Sequence, residues 1–246
     1  MFKHSYISYK IYINCYTLLD FFKSLIFKYS TKKIRYAAQD YNLFFELPAV
    51  NGLPLERRYL GKLTLSSGFV VACDPLLGLH DALPFTRRIP TGEYPVYMVL
   101  SGSGNHQKNT LIKLALSDKR AVRWELAMVP GQSSGHSYIA DVYYGFTVDA
   151  GIGCICDAHT QKHYNSYLER FFKDHPNGNI YDSLFASAFA RNGIEENHSF
   201  NFYLPARPQQ NVIMFHTGYG DGIYPAYWGL TEDGQVCSLV IDFMVL

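Results

Sequence analysis

The chain has 246 residues and a mass of 28.1 kDa, room for one large domain or two small ones. Its 22 Lys and Arg against 21 Asp and Glu argue against the broad basic footprint of a non-specific nucleic-acid binder. The aromatic share of 16%, with 20 Tyr and 17 Phe, fits either a tyrosine-filled β core or a protein-recognition face.

Near the N-terminus, Lys3, Lys10, Asp20, Lys23 and Lys28 interrupt every apolar run, so neither a signal peptide nor a span of ~20 apolar residues is read there. Leu18, Leu19, Phe22, Leu25, Ile26 and Tyr29 recur at helical spacing behind Thr17 as a cap. They predict an amphipathic helix, packed on the body or on a partner, inside a helical extension over residues 1–57. Lys28, Lys32, Lys33 and Arg35 beside it leave a membrane-surface role open.

From Tyr59 the signals are those of strands. Tyr59–Leu65 and Gly68–Cys73 flank Ser66-Ser67 and predict a hairpin. A long loop from Asp74 to Pro90 follows, then three strands at 94–100, 110–116 and 121–128 that read as an antiparallel meander. Two short strands are expected around Ala150-Gly151. Tyr164, Tyr167, Leu168, Phe171 and Phe172 then mark a helix closed by His175-Pro176-Asn177-Gly178, and a second helix spans about 181–190. Strands return at 199–204, 211–217, 223–230 and 235–243, the last two joined by Glu232-Asp233-Gly234. The fold class is α+β: mainly antiparallel β sheet or sandwich, with a two-helix insertion around residues 160–192 and one β-rich domain over 58–246. Within it, PTGEYPVYMVL (90–100) is echoed by GDGIYPAYWGL (220–230): a glycine, a Tyr-Pro pair, a small residue and a second tyrosine.

Five scattered cysteines form a poor disulfide framework, and reduced thiols in a cytoplasmic protein are the expectation. Asp74 before Pro75 either organises a turn or faces a cleft with His80 and Arg87, where Arg87 would clamp an anion. Trp124 shares a strand face with Val122 and Leu126, which puts Glu125 beside Arg123 or in a pocket. Asp149 and Asp157 bracket Gly151 and Gly153, so they are candidates for a divalent ion or for split acid and base roles, or they cap turns. Asp221 sits in a glycine-rich loop with Tyr224 and Trp228 near it. Asp242, if inward, needs Arg87, Arg88 or a backbone cluster as partner. His159 and His163 stand four residues apart without the Glu of a zinc-protease motif, and GQSSGHS (131–137) is not a nucleophile elbow.

ACDP, PFTR with the P-x-G-x-YPV run, RWELAMVPGQ, VDAGIGCICDA and the closing GDGIYPAYWGL and IDFMVL segments together resemble the bacterial Domain of Unknown Function 4241 family, over about 58–246. The resemblance implies no catalytic residues. It implies a shared polar set of Asp74, Arg87, Glu125, Asp149, Asp157, Asp221 and Asp242, rich in acids as a site for a cation would be. Two functions follow as expectations. One is a non-enzymatic protein-binding module of immunity or accessory type, with Asp74, Arg87, Tyr224, Trp228 and Asp242 as binding residues and another protein as partner. The other is a hydrolase-like enzyme with Asp149, Asp157, Asp221 and Glu125 in an acidic cleft, with or without a divalent metal.

Overall fold

Apolar residues at every second position of the middle and late strands give two sheets with a common interior, and the helices close the far side of one of them. The computed structural model describes residues 38–132, 144–191 and 199–246. All belong to one compact unit. The helix expected over 17–29 and most of the 131–137 loop lie outside the described residues.

In chain order the elements are α1 (Leu43–Glu46), β1 (Ala49–Val50), β2 (Leu53–Leu65), β3 (Val70–Cys73), β4 (Gly92–Ser101), β5 (Lys108–Ala115), β6 (Arg123–Leu126), β7 (Phe146–Val148) and β8 (Ile152–Asp157). Then come α2 (Ala158–Asp174), a π turn (Tyr181–Phe185) running into α3 (Ala186–Arg191), β9 (Ser199–Leu204), β10 (Arg207–His216), β11 (Gly222–Tyr224), β12 (Ala226–Leu230) and β13 (Val236–Asp242). A seven-stranded sheet has the order β1-β2-β4-β5-β13-β12-β6, a four-stranded sheet β3-β8-β10-β9, and β11 and β7 form a separate ribbon. Every pairing is antiparallel. The α+β, mainly antiparallel architecture is as expected.

Val96, Met98, Ile112, Leu114, Trp228, Leu239 and Ile241 of the larger sheet pack on Val70, Ala72, Ile155, Ile213 and Phe215 of the smaller. The opposite face of the smaller sheet, with Val71, Cys73, Cys154, Cys156, Val212 and Met214, is covered by Tyr164, Phe185 and Phe189 from the helices. Covered on both faces, β3 and β8 are buried at every residue, and both lack the alternation of a half-exposed strand. On the other side of the larger sheet, Tyr41 lies against Trp124 and Tyr227, with ring centroids 5.0 and 5.3 Å away. Arg120 fixes this segment by pairing with Asp40 and Glu46, both at 2.8 Å. Residues 38–57 are thus part of the packed unit.

Three strand partnerships differ from the sequence reading. The pair 59–65 and 68–73 is not a hairpin: β2 bonds to β4 and β3 to β8. Ser66-Ser67 has no residue suited to a tight primed turn, and the link instead crosses between sheets with Gly68 at φ +79°, where a Cβ would stand 2.4 Å from the Ile89 carbonyl. The meander stops after β5, because β13 and β12 lie between β5 and β6. The run 223–230 is two strands. At Pro225, which has no N–H to donate, the chain leaves the β11–β7 ribbon and enters the larger sheet, and the Pro225 carbonyl accepts the Asp242 N–H at 3.0 Å.

The echoed G-x-Y-P segments are two copies of one corner. Tyr94 Oη donates to the Pro90 carbonyl at 2.9 Å, and Tyr224 Oη to the Gly220 carbonyl at 2.7 Å. Each ring folds back over the glycine two residues before it, where a Cβ would lie 3.4 Å (Gly92) or 3.2 Å (Gly222) from the tyrosine Cζ. Both corners feed a strand of the seven-stranded sheet, tying a turn to its strand as a tyrosine corner does.

Candidate functional site

The glycine-bracketed turn between β7 and β8 gathers three of the acids singled out from sequence. Asp74, one residue past β3, is buried beneath it. Its Oδ2 accepts the N–H groups of Asp149 (3.0 Å) and Ala150 (2.8 Å), while Oδ1 accepts those of Leu76 (2.8 Å) and Leu77 (3.3 Å). The next N–H of the turn, Gly151, donates to Asp221 Oδ1 at 2.9 Å. In return the Gly151 carbonyl accepts the Thr217 N–H at 3.1 Å. Gly151 at φ +66° and Gly220 at φ +83° let the two loops lock together. Three successive N–H groups, a ready anion receptor, are thereby filled by the protein's own carboxylates. The Asp149 side chain itself points to solvent.

Asp157 is elsewhere. The six residues of β8 separate it from the turn by ~20 Å, so it cannot share an ion with Asp149. It is fully buried as the cap of α2, accepting Ser66 Oγ (3.0 Å), Ser67 N–H (2.9 Å), Ser67 Oγ (2.6 Å) and His159 N–H (2.9 Å). This cluster fastens the link between the sheets to the helix start, a partnership that the serines, read as a hairpin turn, did not betray. Glu125 sits at the edge strand between Arg87 (2.8 Å) and Arg123 (2.9 Å), partly exposed. Arg87 therefore does not meet Asp74, and His80 stays in solvent beside Asp81.

Asp242 does turn inward, but its partners are Tyr41 Oη at 2.9 Å and the Met244 N–H at 2.7 Å, and among the described residues no arginine pairs with it. Burial pushes its carboxyl up to about 7, against the smaller pull of the Met244 N–H. Tyr41 lies between the N-terminal helical pattern and the first strand signal, and nothing local marks it as a partner. Tyr224 and Trp228 are core residues at 2% exposure each, so neither presents a surface. Burial also raises the Tyr224 hydroxyl. His163 Nδ1 lies 2.7 Å from Gln210 Oε1, and His159 Nδ1 3.2 Å from Ser66 Oγ, so the two histidines have separate partners.

A family whose description reads "Protein of unknown function (DUF4241)" matches residues 63–241. The chain belongs to the DUF4241 family. No curated protein and no solved structure matches it. The region shared with DUF4241 runs from within β2 to within β13, and it holds both tyrosine corners, the Asp74 turn and the Asp157 cluster. Tyr41, α1 and Asp242 lie outside the DUF4241 match, so the cover over the outer face of the larger sheet falls beyond the family region.

Chemically, the carboxylate oxygens of Asp74 and Asp157 are taken up by backbone and hydroxyl donors, and Glu125 is taken up by two arginines. Among the described residues no three His, Cys, Asp or Glu side chains are grouped to hold a metal ion. Among them, too, no helix is long and apolar enough to cross a membrane.

Proposed function

We propose that this DUF4241 chain is a non-enzymatic binding module whose partner is another protein. The observation that carries the reading is the use of the Asp74 carboxylate, whose two oxygens accept four backbone N–H groups at the turn where a catalytic cleft would have to form. Asp157 and Glu125 are likewise held apart from it by local partners.

A recognition face is available on the outer side of the larger sheet. Tyr59 of β2 is 57% exposed and stands opposite Tyr97 of β4, with ring centroids 5.6 Å apart. Tyr97 pairs in turn with Lys113 of β5, whose ammonium lies 4.5 Å from the Phe45 ring centroid. Leu53, at the start of β2, and Leu47, just past α1, are both 41% exposed. Rigid aromatic rings beside aliphatic side chains are what protein interfaces concentrate at their centres.

The test is recovery of the chain from its native cells, followed by an affinity measurement with whatever protein accompanies it. Wild type should retain a stoichiometric partner, and Tyr59→Ala/Tyr97→Ala should bind it at least about tenfold more weakly with an unchanged melting temperature. Hydrolytic turnover abolished by Asp149→Asn or Asp221→Asn, with no partner recovered, would overturn the proposal.

A further inference from the structure

A cleft of about 430 Å³ lies between one face of α2 and the two-residue turn that joins β9 to β10. His163, Tyr167 and Arg170 line it from the helix, and Arg207 from the first position of β10. The helical residues are spaced i, i+4 and i+7, which puts them on one stripe. The Arg207 backbone pairs with Leu204 across the tight turn. Leu204, Pro205 and Ala206 supply an apolar floor, and among the described residues no acidic side chain lines the cleft.

Neither guanidinium has an ion-pair or hydrogen-bond partner among the described residues, and the Tyr167 hydroxyl makes no hydrogen bond among them. The tyrosine ring is fixed against Phe202, centroids 5.8 Å apart, and His163 is anchored by Gln210 at 2.7 Å. Donors without acceptors among the described residues therefore line one cleft from a helix and a strand. Guanidinium forks match phosphate oxygens two at a time, and their two positive charges balance the −1.5 to −2 of a phosphate monoester at neutral pH better than one carboxylate.

We propose that this cleft binds a phosphate monoester, with Arg170 and Arg207 gripping the phosphate and the Leu204–Ala206 turn supporting the organic part. The site is separate from the aromatic face and from the acidic turn.

The experiment is titration of the full chain with phenyl phosphate, inorganic phosphate and benzoate at constant ionic strength, followed by calorimetry and by amide chemical shifts. Phenyl phosphate should bind most tightly and shift the signals of residues 163–170 and 204–207. Arg170→Gln and Arg207→Gln, both at exposed positions, should each weaken it about tenfold without changing the melting temperature of the free protein. Benzoate or inorganic phosphate binding as well as phenyl phosphate would overturn the assignment. So would absence of binding at millimolar ligand, or an affinity that survives the double substitution.

Discussion

At the scale of single residues, the carboxylates differ in what their removal should do, because their oxygens do different things. Asp74→Asn keeps the shape but replaces one oxygen by an NH2 group facing two backbone N–H donors, so two partly buried donors lose their acceptor. Urea unfolding should report a loss of about 2–4 kcal/mol, whereas Asp149→Asn, on an exposed side chain, should stay within about 0.5 kcal/mol of wild type. A neutral Asp74→Asn would remove the scaffold role. Asp242 has the opposite sense. Its carboxyl titrates near 7 when folded and near 3.8 when unfolded, so the unfolded chain gives up this proton first as pH rises. Stability from this group is therefore fully present below about pH 4, declines between pH 4 and 7, and is level above that. The decline is on the order of 2–4 kcal/mol. Asp242→Asn can still accept from Met244 N–H and donate to Tyr41 Oη, and it should abolish that slope and stabilise the protein at pH 8. An unchanged slope in unfolding midpoints across pH 4–8 would sink this account. From sequence, the local half of each role was readable: Asp74 before Pro75 promised a turn, and Asp242 late in an apolar strand promised a buried acid. The distant half was not, because Ala150 and Tyr41 are 76 and 201 residues away along the chain.

At the scale of elements, the positions of strands and helices were legible and their partners were not. Alternation and glycine or proline punctuation depend on neighbours in sequence, and those rules placed β4, β5, β9, β13 and the 158–174 helix. Pairing depends on which apolar faces meet, and a link such as Ser66–Phe69 reads alike whether it reverses a strand or carries it to another sheet. The repeated G-x-Y-P pattern was visible as a repeat, yet its meaning, a tyrosine hydroxyl bonded four residues back, required coordinates. Tyr224→Phe should cost about 1–2 kcal/mol because the Gly220 carbonyl loses a partly buried partner. Tyr94→Phe should cost less, since its bond is exposed and water replaces it. Where the two sheets approach, Asn211 joins Thr64 N–H (3.1 Å), the Lys62 carbonyl (2.8 Å) and Asn201 Oδ1 (2.8 Å). Gly61 sits at φ +108° in the adjoining bulge of β2, and a Cβ there would be 2.6 Å from Asn201 Nδ2. Gly61→Ala combines a backbone conformation that side chains resist with that clash, so a loss above about 2 kcal/mol is expected in urea midpoints. A loss no larger than that of an exposed control such as Gly234→Ala, also at positive φ but with nothing within 4 Å, would show that the clasp yields freely.

At the scale of the whole molecule, the layers of sheet, sheet and helix make the thiols reporters of cooperativity. Cys73 and Cys154 are cross-strand partners with Sγ atoms 3.7 Å apart, and Cys156 lies two residues along, all beneath α2 and the 181–191 helices. Burial pushes the thiols of Cys73 and Cys156 well up from their ordinary value, and Cys154 next to Cys73 adds to that shift. Reaction with an aromatic disulfide reagent requires both exposure and thiolate. In a Cys15→Ser background the four described cysteines, all buried and free, should react in native buffer at least about a thousandfold more slowly than in urea. Cys237 is in the seven-stranded sheet and bonds to the Gly229 carbonyl at 3.4 Å, so it samples a different layer from the other three. If the apolar interior shared by the sheets couples all layers, mass spectrometry should find all four labelled with one urea midpoint. Labelling of Cys73, Cys154 and Cys156 at lower urea than Cys237 would instead mean that the helical layer lifts as its own unit. The distinction bears on the proposed phosphate cleft, because its Arg170 and Arg207 come from the helical layer and the sheet beneath it. A layer that lifted early would scatter those two guanidiniums while the aromatic face on the larger sheet stayed intact.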